Sequence, residues 1–250
     1  MNAIRRALDL IFYNKDWFRY IAARRIKYAD DSLLRFRLRN GLKVEVRADA
    51  RFVLNEIFLD RVYDVDGLDW GSMRNILDLG GNMGLFALYA WSRARDATIH
   101  SFEPEPGNAA LFRRNIDQNN APVKLHQVAV SDKTGVVRFS IGGNSAEYKL
   151  AREDDEDTIE VEAITPTQMF DLIDADEIDF AKIDIEGGER GLFAACTDDQ
   201  LRRFKAIAIE WHYQVPELEE LAMRFRDAGF DAQPVLIDHI RYLKAIRRDA

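Results

Sequence analysis

Apolar positions recur with two different periods along this chain of 250 residues. Ile4, Leu8, Ile11 and Phe12 fall at helical spacing among basic neighbours, which predicts an opening amphipathic helix with a positive face. Strict alternation takes over from Leu34 to Val46 and predicts a β-hairpin with one apolar face. Its turn follows from register. A two-residue Asn40-Gly41 loop would set Phe36 opposite Glu45 and mix the faces. A three-residue loop from Arg39 to Gly41, with Gly41 left-handed, instead pairs Leu38 with Leu42, Phe36 with Val44 and Leu34 with Val46. The stretch from Phe52 to Tyr63 then reads as a helix leading into the main domain.

Beyond Asn75, short apolar runs alternate with helical patterns, the signature of a parallel sheet wrapped by helices. Strands are expected at 75–79, 97–102, 123–130, 179–184 and 205–211, with helices at 84–94, 106–119, 166–174 and 189–203. Thr165-Pro166 supplies a cap and first-turn pair for the third of these helices. An extra hairpin strand, 136–140, and an acidic loop holding Glu153 to Asp157 interrupt the third crossover. Pro216 opens a helix with Leu218, Leu221, Ala222 and Phe225 on one face, ending near Gly229. Strands 231–237 and 240–246 follow, joined too tightly for a parallel crossover and therefore antiparallel. The expected fold class is α/β, with residues 1–70 forming a helix-and-hairpin extension and residues 71–250 the main domain.

Composition agrees with a folded chain of this kind: 47% of residues are hydrophobic and 31% charged, enough for one large α/β domain or a medium domain with an appendage. Charge is uneven. The net value is −8, yet residues 1–27 carry +5 and the last ten +3, which leaves −16 on the body. That balance argues against a protein held on nucleic acid by phosphate neutralisation. The basic helix either docks on its own domain or touches an anionic membrane surface. Cys196, the sole cysteine, rules out an internal disulfide and a thiolate metal cluster, and suits a reducing compartment. The longest uncharged run, Leu79 to Ser92, falls short of the roughly 20 apolar residues that span a bilayer. With no signal-like start either, a cytoplasmic location is expected.

Candidate chemistry gathers at predicted strand ends. Asp78-Leu-Gly80-Gly81-Asn82-Met-Gly84 runs straight into an apolar helix, where glycines let backbone approach a ligand. A dinucleotide fingerprint would need glycine at Asn82 and Leu85, so the spacing fits D-x-G-x-x-x-G and a nucleoside carrying an amino acid. Glu103, 23 residues after Gly80 and followed by Pro104, stands where such sheets place an acid for ribose hydroxyls. On the fourth strand, alternation turns Lys182, Asp184 and Glu186 to one side. Glu210 and His212 share a side of the fifth strand, placing His212 beside Asp184 across the sheet. So many ionisable groups on buried strands are costly without partners or a function. His100, His126 and His239 have no comparable cluster and are read as structural.

Taken in order, Asp78-Leu-Gly-Gly-Asn-Met-Gly84, Phe102-Glu-Pro104 with Asn108, Leu111 and Asn115 behind it, Lys182-Ile-Asp-Ile-Glu-Gly-Gly-Glu189 and Glu210-Trp-His212 resemble the FkbM family of S-adenosylmethionine-dependent methyltransferases, over roughly Phe52 to Tyr213. The family usually has Ala where this chain has Gly81, a departure expected to matter little. The resemblance implies a class I methyltransferase (Rossmann-like) sheet, mostly parallel and seven-stranded with an antiparallel last strand. It implies that Asp78, Gly80, Asn82 and Gly84 hold the methionine part of S-adenosylmethionine, Glu103 its ribose, that Ala129 lies by the adenine, and that Gly81, Pro104 and Asp184 also belong to the cofactor site. The implied reaction is O-methylation of a hydroxyl on a sugar, glycan or natural product. His212 is the candidate base near neutral pH. Alternatively Asp184 takes that role, or joins Glu186 and Glu210 around a divalent cation such as magnesium. A non-catalytic cofactor-binding or scaffold protein is the competing class, and the polar cluster Lys182, Asp184, Glu186, Glu210 and His212 argues against it. A nucleic-acid methyltransferase would carry an Asn-Pro-Pro-Tyr type motif where this chain has Asp184-Ile-Glu-Gly.

Overall fold

The computed structural model describes residues 10–23, 32–140, 149–150, 155 and 158–249. Ile4 and Leu8 of the expected first helix lie outside these residues; residues 11–13 are helical, with Ile11 half-buried and Phe12 71% exposed. The chain then runs beside the hairpin, where Lys15 N–H donates to Arg37 O and Arg39 N–H to Tyr13 O. Helix α1 (Trp17–Ala23) precedes strands β1 (Leu33–Arg37) and β2 (Lys43–Arg47), which pair with Phe36 opposite Val44 and Leu34 opposite Val46. The three-residue turn is as the alternation requires: Gly41 has φ 94° and Leu38 N–H donates to Leu42 O.

Residues 52–63 depart from a single α-helix. Helix α2 (Phe52–Asn55) widens into a π-helical turn over Glu56–Asp60, and Arg61, at φ 50°, ends it. Ile57 and Phe58 on this turn are both buried in the core. The left-handed Arg61 then turns Tyr63 inward, where it is buried.

The main domain runs as strand β3 (Asn75–Leu79), α3 (Leu85–Arg93), β4 (Thr98–Phe102), α4 (Pro106–Asp117) and β5 (Val123–His126). Strand 123–130 was expected to be continuous, but it stops at His126, and β6 (Ala129–Val130) leaves the edge of the main sheet for a second one. There β6 pairs with β9 (Thr158–Ile164), which also pairs with β7 (Gly135–Ser140), itself joined to β8 (Lys149–Leu150). The expected lone hairpin strand is thus part of a four-stranded sheet with its own apolar cluster of Ala129, Val137, Phe139, Val161 and Ala163. Of the acidic loop Glu153–Asp157, Asp155 alone is among the described residues.

Helix α5 (Pro166–Ile173) starts on the expected cap, with Thr165 and Gln168 forming a reciprocal capping box. Strand β10 (Ile178–Ile183) leads to α6 (Glu189–Ala195) and α7 (Asp198–Leu201) rather than to one helix over 189–203. Thr197 causes the break, because its extended backbone and its bonds with Gln200 start a new helix. Strand β11 (Phe204–Trp211), helix α8 (Val215–Asp227) and strands β12 (Phe230–Ile237) and β13 (Ile240–Arg247) complete the chain. The seven-stranded order is β12-β13-β11-β10-β3-β4-β5, with β13 antiparallel to both its neighbours and the other neighbouring pairs parallel.

Alternation divides the core between the two faces of the sheet. Leu77, Leu79, Ile183, Ile207 and Ile209 pack under α5, α6 and α8, whereas Ile76, Phe180, Ala206 and Ala208 join one cluster with α3, α4 and the hairpin's Phe36, Val44 and Val46. The N-terminal extension therefore covers one face. Asn115 on α4 and Asn119 just past its end hold it there: Asn115 accepts Glu45 N–H at 2.7 Å and donates to Glu45 O and Met83 O at 2.8 Å each. One turn on, Asn119 accepts Lys43 N–H at 2.9 Å and donates to Lys43 O at 2.6 Å. The amides thus complete the free edge of β2 as a third strand would.

Replacing Asn115, which is fully buried, by Ala should cost about 3 kcal/mol in urea unfolding, because three backbone groups lose their partner in a site closed to water. The half-exposed Asn119→Ala should cost about 1 kcal/mol. Equal, small losses would show that the hairpin is held by its apolar face alone.

Candidate active site

The loop after β3 is fixed from three directions. Gly80 and Gly81 N–H both donate to Phe102 O on β4, at 3.0 and 2.9 Å, while Asp184 N–H donates to Leu79 O at 3.0 Å. Gly80 has φ 80°, and a Cβ there would lie 1.7 Å from the Asp184 carbonyl oxygen, so only glycine fits. Beneath the loop, Lys182 Nζ donates to Leu79 O at 3.2 Å and Gly80 O at 2.5 Å. Strand register puts Lys182 beside Asp78, and Asp78 beside Ser101. The Asp78 carboxylate accordingly accepts from Ser101 Oγ at 3.0 Å and faces Lys182 Nζ at 3.5 Å. Burial alone would lower the Lys182 pKa, but Asp184, Asp78, Glu210 and Glu103 surround it and raise it, so the ammonium keeps its charge.

A cleft of about 750 Å³ opens above this loop. Glu103 forms part of its wall, accepting Asn82 N–H at 2.7 Å on one oxygen and Glu105 N–H at 2.9 Å on the other. Each oxygen keeps a lone pair for a ligand hydroxyl. Burial pushes Glu103 up to about 7. Val128, Ala129, Val137 and Phe139, from β6, β7 and the turn before them, make an apolar side to the same cleft.

A second cleft, about 910 Å³, adjoins the first, and both are lined by Gly80, Asn82, Asp184 and Glu186. Its floor is the acid cluster. His212 Nδ1 lies 2.9 Å from Glu189 Oε1, and its Nε2 lies 3.4 Å from Glu186, 3.6 Å from Glu210 and 3.9 Å from Asp184. Glu189 Oε1 also accepts from Ile185 and Gly187 N–H at 3.2 Å each, which fixes the carboxylate that orients the ring. Burial taken alone would lower the imidazole pKa, but the hydrogen bond and charge of Glu189, with Asp184 and Glu186, raise it to about 10. A neutral-pH base presumes the ordinary imidazole value; inside this cage of acids the ring carries its proton at pH 7. Burial and the charge of Asp184 push Glu210 up to about 8.

Asp184, Glu186, Glu210 and His212 are therefore brought together as the alternation implies, and Gly81, Pro104 and Ala129 line one cleft or the other. Two cofactor candidates stand elsewhere. Asp78 is fully buried behind the loop, and Gly84 starts α3 against Phe112, so neither lines a cleft. Lys182 lines the second cleft, as a largely buried support beneath the glycines. The departure at Gly81 has a packing consequence, since a Cβ there would come within 2.9 Å of the Phe112 ring. His100 and His126 bond to one another at 3.0 Å away from both clefts, and His239 sits exposed in the last turn.

Two site residues escape a reading by motif. Glu189 stands inside the quoted segment, and its signal is an acid in a first helical turn four residues after Ile185, whose N–H it caps. Tyr63 has no local signal, yet its hydroxyl lies 2.9 Å from both Asp184 Oδ2 and Glu210 Oε2. Asp184, Glu210 and His212 each offer a ligand atom within 4.8 Å of the others. However, Tyr63 bridges the two carboxylates and Lys182 Nζ sits 3.6 Å from Asp184. A phenol hydroxyl and an ammonium thus hold oxygens that a magnesium ion would otherwise take.

Known proteins share the sequence pattern and the fold of this chain. A family model described as the Methyltransferase FkbM domain matches residues 75–232. The 31-O-demethyl-FK506 methyltransferase FkbM of Streptomyces tacrolimicus is 29% identical over 227 residues, 78% of this chain and 87% of that relative. Methyltransferase 1 of Beauveria bassiana (strain ARSEF 2860) is 26% identical over 188 residues, 66% of this chain and 74% of that relative. Among solved structures, the delta-N METTL16 MTase domain overlays with a TM-score of 0.51 at 14% identity, covering 84% of this chain and 90% of that one, a likeness of fold.

Lys182→Met should destabilise the protein by about 3 kcal/mol or more in urea unfolding, since it strands Asp78 as an uncompensated buried charge. Lys182→Met combined with Asp78→Leu should recover a large part of that loss. No recovery in the double variant would mean that the bonds to the loop carbonyls, rather than the ion pair, carry the effect.

Proposed function

The chain belongs to the FkbM methyltransferase family, and from that premise we propose that it moves a methyl group from S-adenosylmethionine to a hydroxyl of a small natural product or sugar. The observation that carries this reading is the junction of two clefts at Gly80, Asn82, Asp184 and Glu186, one suited to a nucleoside and the other floored by proton-handling groups. When bound, S-adenosylmethionine supplies a methyl group made electrophilic by its sulfonium. Glu103 would accept the ribose hydroxyls, as its free lone pairs allow. Ala129, Val128, Val137 and Phe139 would flank the adenine, and the Gly80–Asn82 backbone would receive the amino-acid end. Asp78 supports that backbone from behind through Lys182.

The acceptor enters beside Phe52, Val53, Ile57, Phe86 and Ile240, which give the second cleft apolar walls. This favours a hydroxylated molecule with an apolar body. The likeness to the Streptomyces 31-O-demethyl-FK506 methyltransferase supports transfer to oxygen. Asp184 lines both clefts and is the carboxylate placed to take the hydroxyl proton, while protonated His212 donates a hydrogen bond toward the acceptor oxygen. A retired site would keep this cluster at a cost in stability with no return, which disfavours the scaffold reading.

Calorimetric titration with S-adenosylhomocysteine should show saturable binding, weakened at least about tenfold by Glu103→Gln, as loss of a charge-assisted hydrogen bond implies. Undiminished affinity in that variant would remove Glu103 from the cofactor site.

Once an acceptor is in hand, kcat/KM should not climb tenfold per pH unit between about pH 7 and 9, because the proton goes to a carboxylate and not to a neutral imidazole. A proton taken by neutral His212 would instead give that climb up to about 10, where the ring loses its charge. Chelation with EDTA should leave the rate unchanged, and loss of turnover on chelation would restore a cation to the mechanism.

A further inference from the structure

Tyr63 lies ahead of the stretch matched by the family model, yet its hydroxyl sits at the centre of the acid cluster. It is 2.9 Å from Asp184 Oδ2 and 2.9 Å from Glu210 Oε2. A phenol has one hydrogen to donate. If both carboxylates were ionised, one would face the lone pairs of the phenol oxygen at hydrogen-bond distance, which is repulsive. The contact becomes favourable when that carboxyl is protonated and donates to the phenol oxygen.

The geometry points to Tyr63 as a positioning residue that makes Asp184 and Glu210 share one proton, its hydroxyl donating to ionised Asp184 and accepting from protonated Glu210. The ring cannot swing away from this task. It packs edge-on against Phe86 and Tyr242, each with centroids 5.8 Å away, and Lys182 Nζ stands 5.4 Å from its centre.

The neighbours decide which carboxyl is charged. Asp184 has Lys182 Nζ at 3.6 Å and His212 Nε2 at 3.9 Å. Glu210 has His212 at 3.6 Å and a hydrogen bond with Tyr242, its neighbour in register, but no ammonium within 4 Å among the described residues. Glu56 on the π-helical turn, Glu186 and Glu189 add negative charge from the elements around, and Asp78 does so from β3. With the ammonium nearer Asp184, the proton belongs on Glu210, in keeping with the upward push on that group from burial and from Asp184.

Two consequences follow for the reaction, and they rest on the methyltransferase reading: Asp184 remains the ionised proton acceptor, and the N-terminal extension completes the site. The arrangement itself belongs to the free protein and is testable without any acceptor. Carboxyl ¹³C NMR titration of the full chain should show a glutamate with a midpoint more than two pH units above the ordinary value of about 4.3. That signal should vanish in Glu210→Gln, with Glu103 told apart by Glu103→Gln. In Tyr63→Phe, which keeps the ring, the Glu210 midpoint should move by about one unit or more, while S-adenosylhomocysteine affinity stays within about threefold. A Glu210 midpoint below about 5.5 in the wild type, or an unchanged curve in a folded Tyr63→Phe, would overturn the proposal. Should Tyr63→Phe not fold, the wild type against Glu210→Gln still decides whether the proton is there. Absence of S-adenosylhomocysteine binding would sink the functional reading and leave the titration standing.

Discussion

One buried ammonium organises the carboxyl end of the sheet. Lys182 points between β3 and β11 at a level where its neighbours in register are Asp78 and Ala208, and the small Ala208 leaves room for the long stem. From there it ties the carbonyls of Leu79 and Gly80 to the carboxylates of Asp78 and Asp184. A cation held this deeply is tolerable only because every side of it meets an acceptor or an acid. The glycine loop is thereby pressed against the Asp184 backbone, close enough to exclude any side chain at Gly80. Loop shape and the charge of the site are consequently set by the same residue.

The rest of the cluster follows from the parity of strands. Asp78, Ser101, Lys182, Ala208 and Tyr242 occupy register positions on the face that the N-terminal extension covers. Glu210 and His212 continue that row beyond the last apolar residues of β11. Covering the row with Phe58, Tyr63 and Phe86 keeps water away and strengthens each charge interaction beneath. It also explains why the imidazole keeps its proton: Glu189, rooted in the first turn of α6 by two backbone N–H groups, is fully buried and turns the ring toward three further acids.

What could be read from the sequence was what local spacing determines. The hairpin turn followed from alternation alone, because one slip would have set Glu45 opposite Phe36 in place of Val44. The strand ends carrying Glu103, Asp184 and His212 followed from the switch between two-residue and helical periods. Interruptions were harder. The break at Thr197 depends on a capping box that competes with an uninterrupted apolar pattern, and the π-helical turn at Glu56–Asp60 has no period of its own to detect. The second sheet escaped because β6 is two residues long and finds its partner, β9, about thirty positions later. Asp78 was misplaced for a different reason: spacing identifies the strand end but not which of its side chains a neighbouring lysine will claim.

The two clefts differ in this same respect. Residues of the first come from the segment that matches the family model, close in sequence to the strand ends that the spacing marks. The second draws Phe52, Val53, Glu56, Ile57 and Tyr63 from before that segment and Ile240 from after it. Those residues are brought together by the docking of the extension, which Asn115 and Asn119 secure through the backbone of β2 rather than through its side chains. A backbone clamp leaves the side chains of the extension free to vary while its position stays fixed. The fold thus builds the second cleft across two parts of the chain, with Tyr63 as the point where the docked extension meets the acids of the sheet.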